Sequence, residues 1–405
     1  MQEIENSKLE TQNTMSGLYI HIPFCKSRCI YCGFYSTTQL ESRQRYVDAV
    51  CREMEILPPP LSKGRGSIDT VYLGGGTPSQ LTREQLQQLF IYINKVYQPS
   101  ANAEVTIEVN PDDVTDELCD TLQKLPVNRV SMGIQTFNDS RLRFLNRRHS
   151  AKQAVMAVSR LRNAGIRNIS IDLMYGFPNE TLDDWRYDID RALTLDVEHL
   201  SAYCLMIEEG TVLYEQMNKK ASSDSLCLGE ESKSALNRED LGGAEELERQ
   251  MYELLIDKLT AAGYEHYEIS NFARPGYRSR HNSSYWHDVP YIGLGAAAHS
   301  YDLKKRQWNI SDIKQYIEAV ERGEIPCESE QLDDDTRYND RITVALRTSE
   351  GLDISNMSER HRRYCLREAQ RFISDGLLRE HDNHLVLTRK GLFVSDMIMS
   401  SLMIV

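Results

Sequence analysis

Hydrophobic and polar positions follow two alternating periods along the first half of the chain. Short apolar runs of strand length are followed by longer segments in which apolar residues recur every three to four positions. A strand followed by a helix, repeated in series, is typical of a parallel sheet with helical crossovers. The pattern predicts six strands, at 17–22, 67–73, 104–109, 128–133, 168–173 and 198–203.

The same pattern places helices between and after these strands. They are predicted at 42–56, 83–95, 116–124, 140–145, 151–164 and 182–193. Eight strand–helix units would close a full barrel, so six predict an α/β fold with an open, partial (β/α)6 barrel. Functional residues in such barrels lie at the C-terminal ends of the strands.

The rest of the chain has a different pattern. Residues 1–16 are polar, and we expect them to be disordered. Residues 218–243 are rich in Ser, Lys and Glu without a helical period, which predicts a mobile insertion. Helices are then predicted at 311–322, 335–346, 355–364 and 366–374. Two strands around Asp382-Asn383 and a last helix from residue 390 follow. We expect the barrel and its extension over 17–305 and a winged-helix-like α+β domain over 306–405.

Composition narrows the class of protein. The chain has 405 residues, 40% of them hydrophobic, and a formal net charge of −13. Such an acidic chain is unsuited to non-specific nucleic-acid binding, so we interpret the C-terminal domain as a lid or docking module instead of a DNA-binding one. No apolar run reaches the length of a membrane span, and residues 1–16 do not resemble a signal peptide. We therefore expect a cytoplasmic protein.

Three cysteines form the strongest chemical signal. Cys25, Cys29 and Cys32 have the spacing C-x3-C-x2-C directly after the first strand. Three thiolates can hold three corners of a [4Fe–4S] cluster and leave one iron open to a ligand. A zinc site is the weaker alternative, because such sites usually add histidines or a second C-x2-C pair. Lys26 and Arg28 are expected to lower the thiol pKa values. The other cysteines are scattered, and we expect them to be reduced and mostly buried: Cys51, Cys119, Cys204, Cys227, Cys327 and Cys365.

Further motifs follow the predicted strands. They are Tyr19-Ile-His-Ile-Pro-Phe-Cys25, Gly74-Gly-Gly-Thr-Pro-Ser79, Glu108-Val-Asn-Pro111, Ser131-Met-Gly-Ile-Gln-Thr-Phe137, Leu145-Asn-Arg-Arg-His149 and Ile171-Asp-Leu-Met-Tyr-Gly-Phe-Pro178. Together they resemble the radical S-adenosylmethionine (radical SAM) superfamily and, within it, the oxygen-independent coproporphyrinogen III oxidase-like family. Phe34 stands where the oxidase has a fourth cysteine, and only 18 residues precede Tyr19. Both departures favour the haem chaperone subfamily, HemW.

The resemblance implies two cofactors. SAM would chelate the open iron through its amino and carboxylate groups, and the reduced cluster would split SAM into methionine and a 5′-deoxyadenosyl radical. The bare N–H groups of Gly74–Gly76 suit a bound ligand, and Arg147 suits the carboxylate of SAM. The SAM-binding residues expected from this resemblance are Tyr19, Tyr31, Gly75, Gly76, Thr77, Glu108, Gln135, Arg147 and Asp172.

A histidine motif points to haem as cargo. His281-Asn-Ser-Ser-Tyr-Trp286 fits the H-N-x-x-Y-W motif of the chaperone subfamily. Imidazole is a common haem ligand, and aromatic rings offer flat faces to a porphyrin. The expected haem-binding residues are His281, Asn282, Tyr285 and Trp286, with His266, His287 and His299 as competing ligands.

Three functions remain open from the sequence. We expect a haem chaperone that transfers haem to acceptor proteins, membrane-associated ones included, and that does not turn over coproporphyrinogen III. The alternative is the coproporphyrinogen III oxidase, which decarboxylates propionates by radical chemistry. A radical SAM enzyme with another substrate is the third. We expect no nucleic-acid partner, and a homodimer is left open.

Overall fold

The fold is described from a computed structural model, which describes residues 17–57, 68–217 and 238–404, without the side chains of 238–242 and 244. Residues 1–16, expected to be disordered, lie outside this part of the chain. So do residues 218–237 of the expected insertion. Its remaining residues, 238–243, begin a long helix, Arg238–Ala261. No helix in the described residues is long and apolar enough to cross a membrane.

Six strands pair in parallel in chain order, which confirms the predicted barrel. They are β1 (Gly17–Ile22), β2 (Thr70–Gly75), β3 (Glu104–Val109), β4 (Arg129–Gln135), β5 (Asn168–Tyr175) and β6 (His199–Cys204). β1 and β3 have the predicted bounds. β2, β4 and β5 each run two residues past the predicted end, so the motif residues Gly75 and Gln135 are the last residues of strands.

Helices cover the outer face of this sheet. They are Arg43–Ile56, Arg83–Tyr97, Asp116–Leu122, Asp139–Phe144, Ala151–Asn163 and Leu182–Leu193, with short 3-10 turns at Leu40–Ser42, Pro78–Gln80 and Pro111–Asp113. Thr82, Ser150 and Thr181 begin three of them with capping boxes. Outward residues of the strands, such as Ile107 and Ile169, pack with these helices in one hydrophobic core.

Further strands extend the sheet at both edges to twelve. They are β7 (Glu265–Glu268), β8 (Asn271–Ala273), β9 (Tyr291–Leu294), β10 (His299–Tyr301), β11 (Lys305–Asn309) and β12 (Cys327–Gln331), in the order β12-β11-β10-β9-β1-β2-β3-β4-β5-β6-β8-β7. β9 runs parallel to β1, while β8 lies antiparallel to β6. Helix Arg280–Trp286 precedes β9.

The boundary between the two cores lies later than residue 305. β11, helix Ile313–Glu321 and β12 belong to the large sheet and its core, although we expected residues from 306 onward in the C-terminal domain. Tyr316 and Ile317 of that helix pack in the first core. The second core begins with Tyr338, so the packing places the boundary near residue 332.

The C-terminal domain is α+β, as expected. It contains helices Asp334–Ala345, Glu359–Ser374, Arg389–Leu392 and Ser395–Leu402 and strands β13 (Leu352–Asp353), β14 (Leu378–His381) and β15 (His384–Leu387), ordered β13-β15-β14. The helices expected at 355–364 and 366–374 are one helix, because Cys365, Ala369 and Phe372 continue a single buried face. Two helices therefore precede the hairpin instead of three. Asp382 and Asn383 turn it with positive φ angles.

The inner face of the barrel is polar. Along β3, Glu104, Thr106 and Glu108 alternate with Val105, Ile107 and Val109, which pack in the core outside. β4 and β5 alternate in the same way, and the inner residues of β4, β5 and β6 line a cavity. A fully closed barrel is usually filled with branched apolar side chains. The barrel of this chain instead encloses a cavity with polar side chains on its walls.

Candidate functional site

The cavity lies inside the barrel and has a volume of about 640 Å³. Residues of β2 to β6 line it, together with the loop that carries the three cysteines. Its volume lies within the range of small-molecule sites.

Backbone hydrogen bonds hold the cysteine loop over one end of the cavity. Cys25 N donates to the Thr37 carbonyl at 2.9 Å, and Ile30 N donates to the Leu145 carbonyl at 3.3 Å. Leu213 N in turn donates to the Ile30 carbonyl at 2.9 Å. All three motif thiols are free and line the cavity. The loop is thus fixed from three sides with its thiols toward the open space.

These thiols suit a cluster better than a single ion. Among the described residues, no three His, Cys, Asp or Glu side chains converge closely enough to hold one metal ion. Three thiolates on separate irons of a cube need no such convergence. A cationic group, the Arg147 guanidinium, lies 3.5 Å from the Cys29 sulfur and offsets the negative charge of thiolate ligands. The residues present therefore fit a [4Fe–4S] cluster.

Burial outweighs the positive charges that we expected to lower the thiol pKa values. Burial raises the pKa of Cys25 and of Cys32, and Arg28 opposes this only weakly at Cys32. Lys26 reaches toward Asp113 instead, at 3.8 Å. The sequence could not show how deeply the loop is covered.

A series of hydrogen bonds and polar contacts connects Cys25 to Cys29 through Thr77, Asn110 and Arg147. The Thr77 hydroxyl lies 3.5 Å from the Cys25 sulfur and accepts from the Asn110 amide at 3.3 Å. The Asn110 oxygen accepts from Arg147 Nη2 at 2.9 Å, and the same nitrogen donates to the Gly133 carbonyl. Asn110 is absent from the expected site residues. Its place directly after β3, in a quoted motif, was the available signal.

The glycine motif is used differently from our expectation. Gly75 has φ +108°, and a Cβ there would overlap the His21 ring; a Cβ on Gly76 would lie 2.7 Å from the Pro23 carbonyl carbon. The N–H groups expected to be bare are already used. Gly75 donates to Glu108 Oε2 at 3.0 Å, and Gly76 donates to the Ile22 carbonyl at 2.9 Å. Both glycines line the cavity, but close packing requires them there.

The two carboxylates among the expected SAM-binding residues lie on β3 and β5. Glu108 Oε1 accepts from the Tyr72 hydroxyl at 2.7 Å, and burial raises the Glu108 pKa. Burial and the nearby Glu108 raise the pKa of Asp172 to about 7.

Gln135 has a left-handed backbone, φ +70°, where the register of β4 shifts after Gly133. Such strain in a non-glycine residue concentrates at functional sites.

The structure brings all the expected SAM-binding residues except one to the cavity wall. The exception is Tyr19, which does not line the cavity but lies next to Tyr72, which does. Its hydroxyl is hydrogen-bonded to His21 Nδ1 at 3.0 Å, and its ring stacks on Tyr72 with centroids 6.1 Å apart. Tyr31 lines the cavity and packs on Leu145, Met174 and Phe177.

His281 is buried, and both of its ring nitrogens have partners. It lies in helix Arg280–Trp286 with 1% of its surface exposed. Nδ1 shares a hydrogen bond with the Thr70 hydroxyl at 2.8 Å, and Nε2 shares one with the Tyr285 hydroxyl at 2.9 Å. Burial lowers its pKa to about 3. Both ring nitrogens are therefore engaged, and the expected role as axial ligand is not supported.

The other residues of this motif share the structural role. Tyr285 meets the His281 ring edge-on at 5.2 Å, and Trp286 meets Tyr267 at 5.8 Å. Asn282 lines the cavity. The helix therefore closes the barrel interior beside β2 instead of presenting a flat face to solvent.

The competing histidines differ in exposure. His266 stacks on Phe272 at 4.4 Å and is hydrogen-bonded to the Ile269 carbonyl at 3.1 Å. His287 and His299 are exposed. Neither lines the cavity.

Polar residues on the inner ends of β4, β5 and β6 were missed. They are Arg129, Ser131, Ser170, His199 and Ser201, and all line the cavity. His199 is fixed by Ser170 on one nitrogen and Tyr267 on the other, each at 2.7 Å. Their sequence signal was the polar residue at every second position of strands that are otherwise apolar.

The mouth of the cavity is apolar and exposed. Phe34, Met206 and Tyr203 line the cavity with 70%, 66% and 44% of their surfaces exposed. Ile207 and Val212 follow in sequence, also exposed. Exposed apolar groups gathered beside a cavity indicate a ligand-binding or protein-binding surface.

Comparison with known proteins agrees with this geometry. Residues 19–192 match the radical SAM superfamily, and residues 332–394 match the HemN C-terminal domain. The heme chaperone HemW of Bacillus subtilis (strain 168) is 34% identical over 93% of this chain and 96% of its own. That of Mycobacterium tuberculosis (strain H37Rv) is 33% identical over 96% and 94%.

A solved structure, the radical SAM coproporphyrinogen III oxidase (HemN) of Escherichia coli, superposes with a TM-score of 0.78 over 96% of this chain and 90% of its own. At 24% identity it shows the fold. The matches at 33–34% identity over nearly the whole chain show the family. The chain belongs to the HemW family of the radical SAM superfamily, and this membership implies a [4Fe–4S] cluster and SAM as cofactors.

Proposed function

We propose that this chain is a haem chaperone, which binds haem and passes it to acceptor proteins, and which carries a SAM-ligated [4Fe–4S] cluster. Relatives named heme chaperone HemW match nearly the whole chain, which supports the proposal. The structural observation that carries it is the exposed apolar mouth formed by Phe34, Tyr203 and Met206 beside the three thiols.

The chemistry of this mouth matches haem. Phe34 and Tyr203 offer aromatic rings to a flat macrocycle, and the thioether of Met206 is a known type of axial ligand. A chaperone must also release its cargo. A site formed by side chains that are 44–70% exposed leaves part of the haem accessible to an acceptor.

The chain's own residues account for the cofactors. Cys25, Cys29 and Cys32 would hold the cluster, which supplies an iron with an open coordination position when bound. Arg147 would hold the carboxylate of SAM while remaining anchored to Asn110. The remaining SAM residues proposed are Tyr31, Gly75, Gly76, Thr77, Glu108, Gln135 and Asp172, all on the cavity wall.

Location and partners follow from the same proposal. Free thiols suit a reducing compartment, so we place the chain in the cytoplasm. Haem-acceptor proteins, membrane-associated ones included, and a homodimer remain predictions.

Anaerobic haem titration of the reconstituted protein tests the function. We expect saturable haem binding, seen in the Soret band, followed by transfer to apomyoglobin as a probe acceptor. A parallel assay with coproporphyrinogen III should give no protoporphyrinogen IX. Turnover there would assign the chain to the oxidase class, and a failure to bind haem would overturn the proposal.

Two variants locate the haem. Phe34→Asp should weaken haem binding at least tenfold, because it puts a charge on the apolar mouth. Ile91→Asp is the matched control, since Ile91 is 65% exposed on helix Arg83–Tyr97, away from the cavity. His281→Ala should keep the Soret band. Loss of that band in a folded, cluster-containing His281→Ala protein would return the haem site to helix Arg280–Trp286.

Cysteine variants test the cluster. Alanine at Cys25, Cys29 or Cys32 should remove the bound iron and the cluster's visible absorption. Cys119→Ala is the control, because Cys119 is buried in helix Asp116–Leu122 and should leave the iron content unchanged. Full iron content in the triple variant would contradict the assignment.

A further inference from the structure

Arg129 is a buried cation that forms no ion pair in the part of the chain that the structure describes. It is the first residue of β4, is 2% exposed and lines the cavity. Its Nη1 donates to Asn168 Oδ1 at 2.9 Å and to the Tyr277 carbonyl at 3.1 Å. Both acceptors are neutral. Within the described residues its Nε and Nη2 donate to no group, and the guanidinium forms no ion pair.

Such a group is costly to keep. A buried charge without a directly paired counter-charge costs several kcal/mol, and a guanidinium does not escape by losing its proton. Local rules of this kind are broken chiefly at functional sites. Beside Arg129 in register, the buried hydroxyl of Thr106 also lacks a partner among the described residues. Two polar groups at one level of the barrel thus have unused hydrogen-bonding capacity.

The surroundings favour an anion. Ser131 and Ser170 line the cavity as neighbours in register on β4 and β5, and Ser170 is hydrogen-bonded to His199. Burial and the charge of Arg129 hold the pKa of His199 well below its usual value, so its ring is neutral. Two acidic side chains share the cavity, and among the described residues neither forms an ion pair with Arg129. Glu108 on the adjacent strand is engaged by Tyr72 and Gly75. Asp172 is hydrogen-bonded to Ser201, and the charge of Arg129 lowers the Asp172 pKa less than burial raises it.

We infer that Arg129 anchors a second anion subsite, which binds a carboxylate of the ligand inside the barrel. The inference rests on the proposed function, in which the ligand is haem and the carboxylate a propionate. Haem combines an apolar macrocycle with carboxylates on one edge. The cavity has the same polarity, with Phe34, Tyr203 and Met206 at its mouth and Arg129 within.

The carboxylate of SAM is the other source of this chemistry. Arg147, the residue proposed for it, donates to the carbonyl of Gly133. Gly133 is four residues from Arg129 on β4, which is about 13 Å at the rise of a strand. Arg129 Nη1 is held by Asn168, which is in register with Arg129, so this guanidinium stays at the start of β4 while that of Arg147 lies at Gly133. Arg129 therefore serves a different carboxylate.

A purely structural role of Arg129 would not require its positive charge. Nη1 ties β4 to Asn168 and Tyr277, and a neutral amide could donate to either acceptor. Arg129→Gln keeps such a donor and removes the charge, while Arg129→Lys keeps the charge. Arg162→Gln is the matched control, because Arg162 pairs with Glu198 and does not line the cavity.

The experiment compares three probes on anaerobically reconstituted protein: haem, haem dimethyl ester and SAM. Arg129→Gln should bind haem at least tenfold more weakly than wild type, and Arg129→Lys within about threefold of wild type. The dimethyl ester should bind wild type and Arg129→Gln equally, since it has no carboxylate. SAM affinity should be unchanged in both variants, and Arg162→Gln should behave as wild type toward all three probes.

Each outcome decides the inference. Equal haem affinity of wild type and folded Arg129→Gln would overturn it. Weaker SAM binding with unchanged haem binding would assign Arg129 to SAM and overturn the propionate assignment. If Arg129→Gln does not fold, wild type alone decides, because equal affinity for haem and its ester would also overturn it. Absence of haem binding in wild type would instead overturn the proposed function, and the propionate assignment with it.

Discussion

At the scale of single residues, Arg147 connects the cysteine loop to the ends of the strands. Its guanidinium contacts the Cys29 sulfur, the Asn110 side chain and the Gly133 carbonyl. A charged, planar donor group with several N–H bonds can hold three partners and still neutralise an anion. The same side chain therefore supports the loop and lines the cavity in which we propose that SAM binds.

Arg147→Lys tests this double role. Lysine keeps the charge but loses the fork of donors, so SAM affinity should fall about 10- to 150-fold, which corresponds to about 1.5–3 kcal/mol for charged hydrogen bonds. Calorimetry on protein with full iron content measures it. Arg148→Lys is the control, since Arg148 pairs with Asp112 and Asp113. An unchanged dissociation constant would remove Arg147 from the SAM site.

Asp172 should make stability depend on pH. Burial and Glu108 raise its pKa to about 7 from 3.8, so the native state holds a proton that the unfolded chain has lost. Stability should therefore fall as pH rises from about 4 to 7, by up to about 1.4 kcal/mol per unit, and level off above. Asp172→Asn should flatten this part of the profile in SAM-free protein. Identical denaturation profiles for variant and wild type would contradict the shift.

At the scale of elements, the turn after β2 sets the geometry of the site. Gly75 ends the strand with a positive φ, touches His21 of β1 and donates to Glu108 of β3. Gly76 then packs against the backbone that leads into the cysteine loop. Three strands and the loop thus meet at two glycines, and a side chain would separate them.

Gly75→Ala should be more destabilising than an alanine at a glycine with similar φ but free space. Gly165, with φ +83° and no atom of the described residues within 4 Å of its Cβ position, is the matched control. Gly165→Ala should cost about 1–2 kcal/mol for the left-handed backbone alone. Gly75→Ala adds the clash with His21, about 1–3 kcal/mol more. Denaturant unfolding compares them, and equal losses would show that the contact is relieved cheaply.

At the scale of the whole molecule, we propose that SAM and haem enter the same cavity. The C-terminal domain packs against β7 and the segment after it. Arg347 pairs with the buried Glu268 at 2.7 Å, and Ile269 N donates to the Arg347 carbonyl at 3.0 Å. Asp340 of this domain also pairs with Arg306 of β11 at 3.2 Å, so the domain contacts strands near both ends of the sheet order. The cysteine loop and the apolar mouth lie at the ends of β2 to β6.

SAM and haem should weaken each other's binding. About 640 Å³ is the space of one drug-sized ligand, so a haem edge inserted to Arg129 overlaps the volume that SAM needs. Saturating SAM should raise the apparent haem dissociation constant at least threefold. Haem titrations with and without SAM measure this, and independent binding would place the haem macrocycle outside the cavity.

Much of the architecture was predictable because it depends on local patterns. The period of apolar residues located six strands and their helices, and the cysteine spacing located the loop. Errors arose where packing overrides pattern. Residues 355–374 contain one helix instead of two, since Cys365 and Ala369 share one buried face. β11 and β12 joined the large sheet because Lys305–Asn309 pairs antiparallel with His299–Tyr301 and Cys327–Gln331.

The sequence by itself determined the element order, the spacing of the three cysteines and the residues gathered at the strand ends, because these follow from spacing along the chain. Only the tertiary structure decided what each polar group meets. It engaged both nitrogens of His281, used the N–H groups of Gly75 and Gly76, and left Arg129 without an acidic partner in the described residues. The reason is physical: hydrogen-bond satisfaction and burial depend on neighbours distant in the chain, and no local pattern encodes them.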